Sequence, residues 1–200
     1  MARPAKFDRQ EALQTAMNAI WKNGFEQSSV KALSDLLGIT RSSFYNSFSS
    51  REALFREVMP DYAAQSPDAP LYATARTPVL PIICAVYRDL CRVRAADPEG
   101  RGCMMLNTIC ELCPETEGLG SELADKVLGS IDRLEELLEI ARSGGEITDT
   151  ANPRALALAL QNLMVGLNVL CKVVRDEEEL WLLARTTLEG LGLYREGKAA

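Results

Sequence analysis

Helical spacing of apolar residues runs through almost the whole sequence and restricts the possible folds more than any other feature. In the first segment Leu13, Ala16 and Ile20 recur at intervals of three and four, which places their side chains on one face of an α-helix. Alternation of the kind found in β-strands never extends beyond a few residues. The sequence therefore predicts an all-α protein.

Four short helices are predicted in about the first 60 residues, each preceded by a residue suited to capping its N-terminus. The capping candidates are, in chain order, Asp8, Ser28 or Ser29, Thr40, and Ser49 or Ser50. Gly24 and Gly38 are placed to end the first two helices, because glycine readily adopts the left-handed conformation that closes a helix. The fourth helix is predicted to begin at Arg51.

Five prolines between Pro60 and Pro81 interrupt the helical pattern and predict a helix end followed by a connecting segment. The chain is thereby divided into an N-terminal domain at 1–59, the connecting segment at 60–81 and a larger helical domain at 82–194. In the larger domain, helices are predicted at about 82–96, 103–113, 119–143, 153–175 and 177–192. The 153–175 helix is apolar on most of its surface, which predicts burial by its own bundle and by a second subunit.

Charge and cysteine are distributed unevenly across this division. Residues 1–59 contain eight basic and six acidic residues, whereas the remainder contains 14 basic and 22 acidic ones. All six cysteines lie beyond residue 59. A locally positive segment in a chain of net charge −6 favours phosphate contact at one end and opposes indiscriminate association with nucleic acid.

The sequence contains no histidine. Histidine general acid–base catalysis, nucleophiles activated by histidine, and mixed cysteine–histidine zinc sites all need an imidazole, so a conventional hydrolase is not expected. No apolar run approaches the ~20 residues that cross a bilayer, and the N-terminus has no apolar stretch of the signal-peptide type. We therefore expect a cytoplasmic protein with no membrane partner.

The segment from Val30 to Leu54 matches a helix-turn-helix, in which the second helix lies in the major groove of DNA. Gly38 permits the tight turn between the helices. In the second helix, Phe44 and Phe48 are spaced to face the core of the domain. The remaining residues face outward, with Arg41, Ser42, Ser43 and Asn46 placed to read base edges and Thr40 and Tyr45 placed to contact phosphate.

This segment resembles the helix-turn-helix signature of the TetR family of transcriptional regulators. The family shows a Gly-Val-Ser turn, an aromatic-rich helix ending in Tyr-x-x-Phe, and Ser-Lys-Glu-x-Leu opening the next helix; here these are Gly38–Thr40, Tyr45–Phe48 and Ser50–Leu54. Arg51 stands where lysine is usual and keeps the cation that the family directs at a DNA phosphate. Ser42 stands where glycine is common, which makes the operator sequence harder to infer.

The resemblance implies an N-terminal three-helix DNA-binding domain, a C-terminal ligand-binding and dimerisation domain, and repression at a palindromic double-stranded DNA operator. A single recognition helix contacts too few base pairs to select one site in a genome, which also favours a homodimer. Helices 153–175 and 177–192 are the expected dimer interface. Ser29 and the N-terminal arm containing Lys6 complete the expected DNA contacts.

Three interpretations of the cysteines are open. Those in the apolar 82–96 and 153–175 helices fit small buried apolar residues. A zinc site from Cys103, Cys110 and Cys113 would lack a second Cys-x-x-Cys pair, so no metal is predicted. The third interpretation is a thiol sensor at Cys103.

Cys103 is expected at the N-terminus of a helix and close to Arg101, where the helix dipole and the cation would both favour the thiolate. The run Arg101–Leu112 is similar to a Gly-Cys-apolar-apolar-x-Asn segment in the TetR subgroup of the N-ethylmaleimide-responsive repressor. In that subgroup the matching cysteine responds to electrophiles and oxidants. The resemblance therefore implies an electrophile as one possible class of effector.

An ordinary small-molecule pocket is the other possibility for the larger domain. Its helices are expected to enclose an apolar cavity, with Met104, Met105, Asn107 and Cys110 as lining residues. Core filling is the alternative for the two methionines. No cofactor is expected in either case.

An enzymatic alternative also follows from the sequence: a helical thiol oxidoreductase using Cys110 and Cys113, which are three residues apart. Helical peroxide-handling enzymes of this type also use a histidine for proton transfer, and this chain has none. A purely structural interaction module would leave the arrangement of Tyr45, Phe48 and Arg51 unexplained. The sequence therefore favours a DNA-binding regulator that is not an enzyme and that is associated with the nucleoid when bound to DNA.

Overall fold

The computed structural model describes residues 8–73, 76–114 and 117–194. Within those ranges the regular structure consists of ten α-helices without strands, which confirms the predicted all-α fold. The helices are α1 (Arg9–Asn23), α2 (Val30–Leu37), α3 (Arg41–Phe48), α4 (Arg51–Ala64), α5 (Ala69–Ala73), α6 (Leu80–Ala96), α7 (Met104–Leu112), α8 (Leu119–Ser143), α9 (Pro153–Leu170) and α10 (Glu177–Gly190). None of the described helices has the length and apolar character needed to cross a membrane.

Side-chain caps begin the first four helices where the sequence predicts them. The Asp8 carboxylate accepts hydrogen bonds from the backbone N–H groups two and three residues further on, at 3.0 and 3.2 Å. Ser29, Thr40 and Ser50 each accept one from the N–H group three residues further on, at 3.2, 3.1 and 3.0 Å. Each cap satisfies a donor that the first helical turn leaves unpaired, so the helix boundaries here are set locally.

The first four helices enclose a core rich in aromatic rings. Phe25 and Phe55 are 1% and 0% exposed and meet edge to face, with ring centroids 5.5 Å apart. Phe44 lies 5.2 Å from Phe48, centroid to centroid. This N-terminal core holds α3 against α2 and α4 and so fixes the direction of its outer face.

A second core lies between α6, α8, α9 and α10. Tyr87 of α6 is completely buried there, and its hydroxyl donates to the carbonyl of Leu160 at 2.7 Å. Leu137 of α8 and Leu180 of α10 are also completely buried. The most extensive packing between helices in the described structure is that of α8 on α9 and of α6 on α10. This group is therefore a helical bundle.

Helix α7 belongs to the N-terminal core, although it lies in the larger domain of the sequence. Met104 is 0% exposed, and its backbone N–H donates to the Tyr62 hydroxyl oxygen at 3.0 Å. The indole N–H of Trp21 donates to the Gly102 carbonyl at 3.0 Å. Leu119, at the start of α8, packs on the same core. The boundary between the two cores therefore does not coincide with residue 59, where the net charge and the cysteine content of the sequence change.

Helix α4 continues through Pro60 to Ala64, so the helix end predicted at Pro60 is wrong. A proline inside a helix removes one backbone hydrogen bond and costs about 3 kcal/mol. Met59 and Tyr62, only 9% and 7% exposed, bury enough surface on the inner face to offset this cost. Tyr62 also meets the Trp21 ring edge to face at 5.1 Å. Tertiary packing thus carries the helix past the proline.

Two further boundaries differ from the sequence prediction. Helix α5 lies inside the segment predicted to connect the domains, and Leu71, 2% exposed, anchors it in the second core. Helix α9 ends at Leu170 and not at residue 175. The chain turns there because Val174 packs on the second core while the Arg175 guanidinium donates to the Asp97 carbonyl.

Candidate nucleic-acid interface and internal cavity

Helices α2 and α3 are joined by a three-residue turn, which consists of Gly38, Ile39 and the N-cap residue Thr40. Gly38 has φ 65° and ψ 30°, in the left-handed region, and the Ile39 N–H donates to the Ser34 carbonyl at 3.0 Å. A Cβ atom at Gly38 would meet nothing within 4 Å. Glycine is therefore favoured here by the backbone conformation and not by lack of space, and the turn has the geometry of a helix-turn-helix.

Helix α3 has a buried face and an exposed face, as the sequence predicts. Phe44 and Phe48 are 0% and 3% exposed. The exposed residues, which we call the recognition surface, are Thr40, Arg41, Ser42, Ser43, Tyr45 and Asn46. The structure thus brings together on one outward surface the six predicted DNA contacts of this helix.

The hydroxyl groups of the recognition surface are organised around Thr40. Its Oγ1 atom caps α3 and lies 2.9 Å from the Ser42 hydroxyl and 3.0 Å from the Ser43 hydroxyl. Arg41 carries the single positive charge of α3. The surface therefore combines one cation with a cluster of hydroxyl donors and acceptors, the groups that contact phosphates and base edges.

The other predicted DNA contacts lie away from α3. The Arg51 guanidinium donates to the carbonyls of Phe25 and Glu26 at 3.0 and 3.3 Å and to the Glu26 carboxylate at 3.1 Å, and it stacks 3.9 Å above the Phe25 ring. Arg51 thus ties α4 to the end of α1, and its contact with phosphate stays a prediction. Ser29 is exposed and caps α2. Lys6 lies outside the described residues.

A cavity of about 760 Å³ lies where the two cores meet. Helix α4 contributes Met59 and Tyr62 to its wall, while α6, α8 and α9 contribute Leu90, Leu123 and Met164. Its volume falls in the range of roughly 300–1,000 Å³ that is usual for small-molecule sites. Because α4 also packs on α1 and α3, the cavity directly contacts a helix that packs against the helices of the N-terminal core.

Several buried polar side chains also line the cavity. The Arg94 Nε donates to the Asn168 side-chain oxygen at 2.7 Å, and the Ser130 hydroxyl donates to the Gln161 side-chain oxygen at 3.0 Å. All four side chains belong to residues at most 9% exposed. Burial, followed by the nearby Cys103 thiol, raises the pKa of Tyr62 well above its usual value, so its hydroxyl stays protonated.

The predicted lining residues are only partly correct. Cys103 and Met105 line the cavity. Met104 instead fills the N-terminal core, which is the alternative open for it from the sequence. Asn107 lies outside the lining, because its side chain donates to the Arg101 carbonyl and accepts from the Lys172 ammonium at 2.9 and 2.8 Å. Cys110 is exposed on the surface.

Cys103 lies at the predicted place, the N-cap of α7, where it is half-buried. Its predicted cationic neighbour is used elsewhere. The Arg101 Nε donates to the Asp97 carboxylate at 3.2 Å, and the guanidinium stacks 4.0 Å from the Trp21 ring. The effect of Arg101 on the Cys103 thiol therefore stays a prediction.

The other cysteines fall into two groups. Burial raises the pKa of Cys84 to about 11 and that of Cys91 to about 12, and it also raises the pKa of Cys171. Cys110 and Cys113 are exposed thiols. In the described part of the chain no three or more cysteine, aspartate or glutamate side chains are grouped as a metal site would need.

The polar lining is the part of the site that sequence reasoning missed. Val86, Leu90 and Arg94 recur every four residues on α6, so the arginine continues an apolar stripe. An arginine on the inner face of a helix was the available signal. This signal could not show where the polar lining lies, because only the folded structure brings Asn168 and Gln161 of α9 to the same cavity.

Two sequence profiles match the chain. One, described as "Bacterial regulatory proteins, tetR family", covers residues 12–58. The other, described as "Tetracyclin repressor-like, C-terminal domain", covers residues 79–187. Together they cover most residues of both cores and the whole recognition surface.

Individual proteins resemble the chain over most of its length. The HTH-type transcriptional repressor ComR of Escherichia coli (strain K12) is 26% identical over 189 residues, which cover 93% of this chain and 90% of ComR. A cysteine mutant of the TetR family transcriptional regulator CifR, solved with 26-base-pair operator DNA, has a TM-score of 0.80 at 27% identity and covers 94% of this chain and 98% of CifR. Reduced E. coli NemR has a TM-score of 0.73 at 22% identity, covering 96% of this chain and 98% of NemR, and shares the fold.

Proposed function

Because the chain belongs to the TetR family of transcriptional regulators, we propose that it is a homodimeric repressor. It binds a palindromic operator in double-stranded DNA through the recognition surface and releases it when an effector occupies the cavity. The observation that carries this proposal is the division of α3 into a buried Phe44–Phe48 face and an exposed polar face. A helix of this kind next to a helix-turn-helix bend is suited to the major groove.

Replacement of Arg41 by alanine is expected to weaken operator binding by roughly 5- to 150-fold, which corresponds to the ~1–3 kcal/mol of a bidentate base contact. Electrophoretic mobility shift with the DNA upstream of its own gene measures this change. Arg92→Ala, which removes an exposed arginine paired with Asp89 on α6, is the matched control and keeps wild-type affinity. Equal affinity of the Arg41→Ala and Arg92→Ala proteins would contradict the assignment, as would the absence of any shift by the wild type at low salt.

The effector cavity is coupled to the DNA-binding domain through α4. Arg56 of α4 makes a two-point contact with Glu122 of α8 at 2.7 and 2.8 Å, at the cavity wall. Tyr62, on the same helix, joins α4 to α7. A molecule that moves α4 would change the angle between the two recognition helices of a dimer, and operator affinity would follow from its unequal binding to the two states.

Thiol modification at Cys103 is one way to occupy the cavity, since this side chain lines it. In a Cys110→Ser/Cys113→Ser protein, which lacks the two exposed thiols, N-ethylmaleimide is expected to label Cys103 faster than the half-buried Cys84, whose pKa is raised by burial to about 11. Release of the operator should accompany this labelling and disappear in a protein that also carries Cys103→Ser. Mass spectrometric mapping measures the labelling rate of each cysteine, and gel shift at the same time points measures release of the operator. Labelling of Cys103 at the rate of Cys84 would end this proposal.

The thiol oxidoreductase alternative has no support beyond two exposed sulfur atoms. Cys110 lies on the exposed surface of the last turn of α7, and Cys113 is the C-cap of that helix. ComR and CifR, which resemble the chain over most of its length, bear the names of a repressor and a regulator. A regulator without catalytic activity is therefore the function that we propose.

A further inference from the structure

Arg94 is a buried cation in the lining of the cavity. It lies on α6 in line with Val86 and Leu90, two apolar residues of the same wall, and it is only 4% exposed. Transfer of a guanidinium from water into a protein interior is strongly unfavourable unless an anion or several acceptors compensate for it. The partners of Arg94 therefore show whether its charge is compensated within the protein or is left for a bound ligand.

The described part of the protein supplies only neutral partners for Arg94. Its Nε donates to the Asn168 side-chain oxygen at 2.7 Å, and its guanidinium lies 5.9 Å from the Trp21 ring centroid. No described aspartate or glutamate comes within 4.0 Å of it, whereas most other described arginines form such pairs. A guanidinium has five N–H donors, and the contact with Asn168 uses one of them.

Asn168 holds the guanidinium in a fixed orientation. The Asn168 amide N–H donates to the Met164 carbonyl at 2.9 Å, which leaves its oxygen facing Arg94. The Nε edge of the guanidinium is thereby occupied, and the two terminal nitrogens remain for another acceptor. The spacing of these two nitrogens matches that of the two oxygens of a carboxylate.

The acidic residues of the cavity do not neutralise Arg94. Glu122 is engaged by Arg56 through two hydrogen bonds, and Asp68 stands before α5. Lys126 adds a further positive charge to the lining. The cavity wall therefore carries three cations against two anions. Of the three cations Arg94 is the buried one, and no described carboxylate lies within 4.0 Å of it.

The rest of the wall is mostly apolar. Its carbon-rich residues are Met59, Val86, Leu90, Leu119, Leu123 and Met164. Gln161 lies two helical turns before Asn168 on α9, about 10.5 Å along the axis, and offers a side-chain amide at the other end of this stretch. The buried charge of Arg94 is thus accompanied by hydrophobic wall residues from several helices.

We propose that the effector of this protein is an amphipathic organic acid, whose carboxylate pairs with the terminal nitrogens of Arg94 while its apolar body lies along α6 and α9. The inference rests on the proposed role of the cavity as effector site and adds the chemical class of the effector. It requires no covalent step. Binding places a negative charge where the protein has an uncompensated positive one, which gives the liganded state an interaction that the empty state lacks.

Fluorescence of Trp21 provides a local measurement, because its ring lies beside Arg94. The other tryptophan, Trp181, packs on Tyr194 and is replaced by phenylalanine to leave a single reporter. Octanoate, decanoate and 4-phenylbutyrate are titrated, each against its own primary amide, which has nearly the same shape but no charge. At least one acid is expected to bind roughly 10-fold or more tightly than its amide.

Substitutions at Arg94 identify the group responsible. Arg94→Gln should remove the preference for the acid over its amide, and Arg94→Lys should retain part of it because the charge remains. Arg92→Gln, on the exposed side of the same helix, is the control and keeps the full preference. Equal affinities for acids and amides in the wild type, no response to any of the three acids, or an unchanged preference in Arg94→Gln would each overturn the proposal.

Gel shift with the same preparations separates this inference from the proposed function. Operator binding by the unliganded protein tests the repressor assignment alone. If that binding is present and the acids fail to bind, only the assignment of the effector class is wrong. If the acids bind in an Arg94-dependent manner but no operator is bound, the cavity assignment stands and the repressor assignment falls.

Discussion

Charged residues introduced on the exposed stripe of α9 and α10 are expected to convert the protein from a dimer to a monomer and to remove most of its operator affinity. In a Val169→Asp/Leu183→Asp protein, four carboxylates would face each other across the interface of a two-fold dimer. A monomer contacts only one of the two half-sites of the operator. It therefore loses about half of the ~4–10 kcal/mol by which the free energy of specific binding exceeds that of non-specific binding. Operator affinity should therefore fall by roughly 30- to 5,000-fold.

The reason for choosing this stripe is its exposure. Leu158 and Val169 of α9 are 48% and 56% exposed, and Leu182 and Leu183 of α10 are 55% and 39% exposed. Gly166, which lies between the first two on α9, is exposed with nothing within 4 Å of a Cβ position, so a neighbouring helix has room to approach closely. Contiguous apolar residues on two adjacent helices are typical of a four-helix interface between subunits.

Leu128→Asp is the matched control, because Leu128 is a 53% exposed leucine on α8, outside the stripe. Sedimentation should show twice the chain mass of 22.0 kDa for the wild type and for this control, and the single chain mass for the double variant. Circular dichroism checks that all three proteins are helical. A wild type that sediments as a monomer at micromolar concentration, or a double variant that remains a dimer, would refute the proposed interface.

Replacement of Phe44 by alanine is expected to destabilise the protein by about 3–5 kcal/mol, the usual effect of removing a completely buried phenylalanine. Phe44 is 0% exposed and its ring packs against Phe48, so the truncation leaves a cavity directly under the recognition surface. Operator binding should be lost along with the position of α3. Urea denaturation followed by circular dichroism measures the stability change, and gel shift measures the binding.

Tyr45→Ala separates folding from contact with DNA. Tyr45 neighbours Phe44 on the same helix but is 52% exposed, so its removal should change stability by no more than about 0.5 kcal/mol. Its operator affinity is nevertheless expected to fall, since its hydroxyl is a predicted phosphate contact. If Phe44→Ala unfolds at the same urea concentration as Tyr45→Ala, the N-terminal core is not organised as described.

The DNA-binding domain could be predicted almost residue by residue because its structure is determined locally. Asp8, Ser29, Thr40 and Ser50 cap the helices that follow them through bonds to N–H groups two or three residues away. Gly38 closes α2 by its own backbone conformation. Interactions of such short range leave a readable pattern in the sequence.

Tertiary structure alone decided where the elements lie relative to one another. Helix α4 passes Pro60 because Met59 and Tyr62 bury their side chains on the inner face. Met104 enters the N-terminal core, where its backbone N–H contacts Tyr62, 42 positions away in the chain, as an effect of how α7 packs. Periodicity gives the face of a helix that is buried but not the neighbour that buries it.

The cavity depends most strongly on this long-range organisation. Arg94 and Asn168 are separated by 74 residues in the chain and meet at 2.7 Å. The sequence by itself determined the helices, their caps and the polar face of α3, since each arises from residues within one or two turns. Only the tertiary structure placed a buried, carboxylate-free arginine inside an apolar cavity, because burial and charge compensation depend on side chains that are distant in sequence.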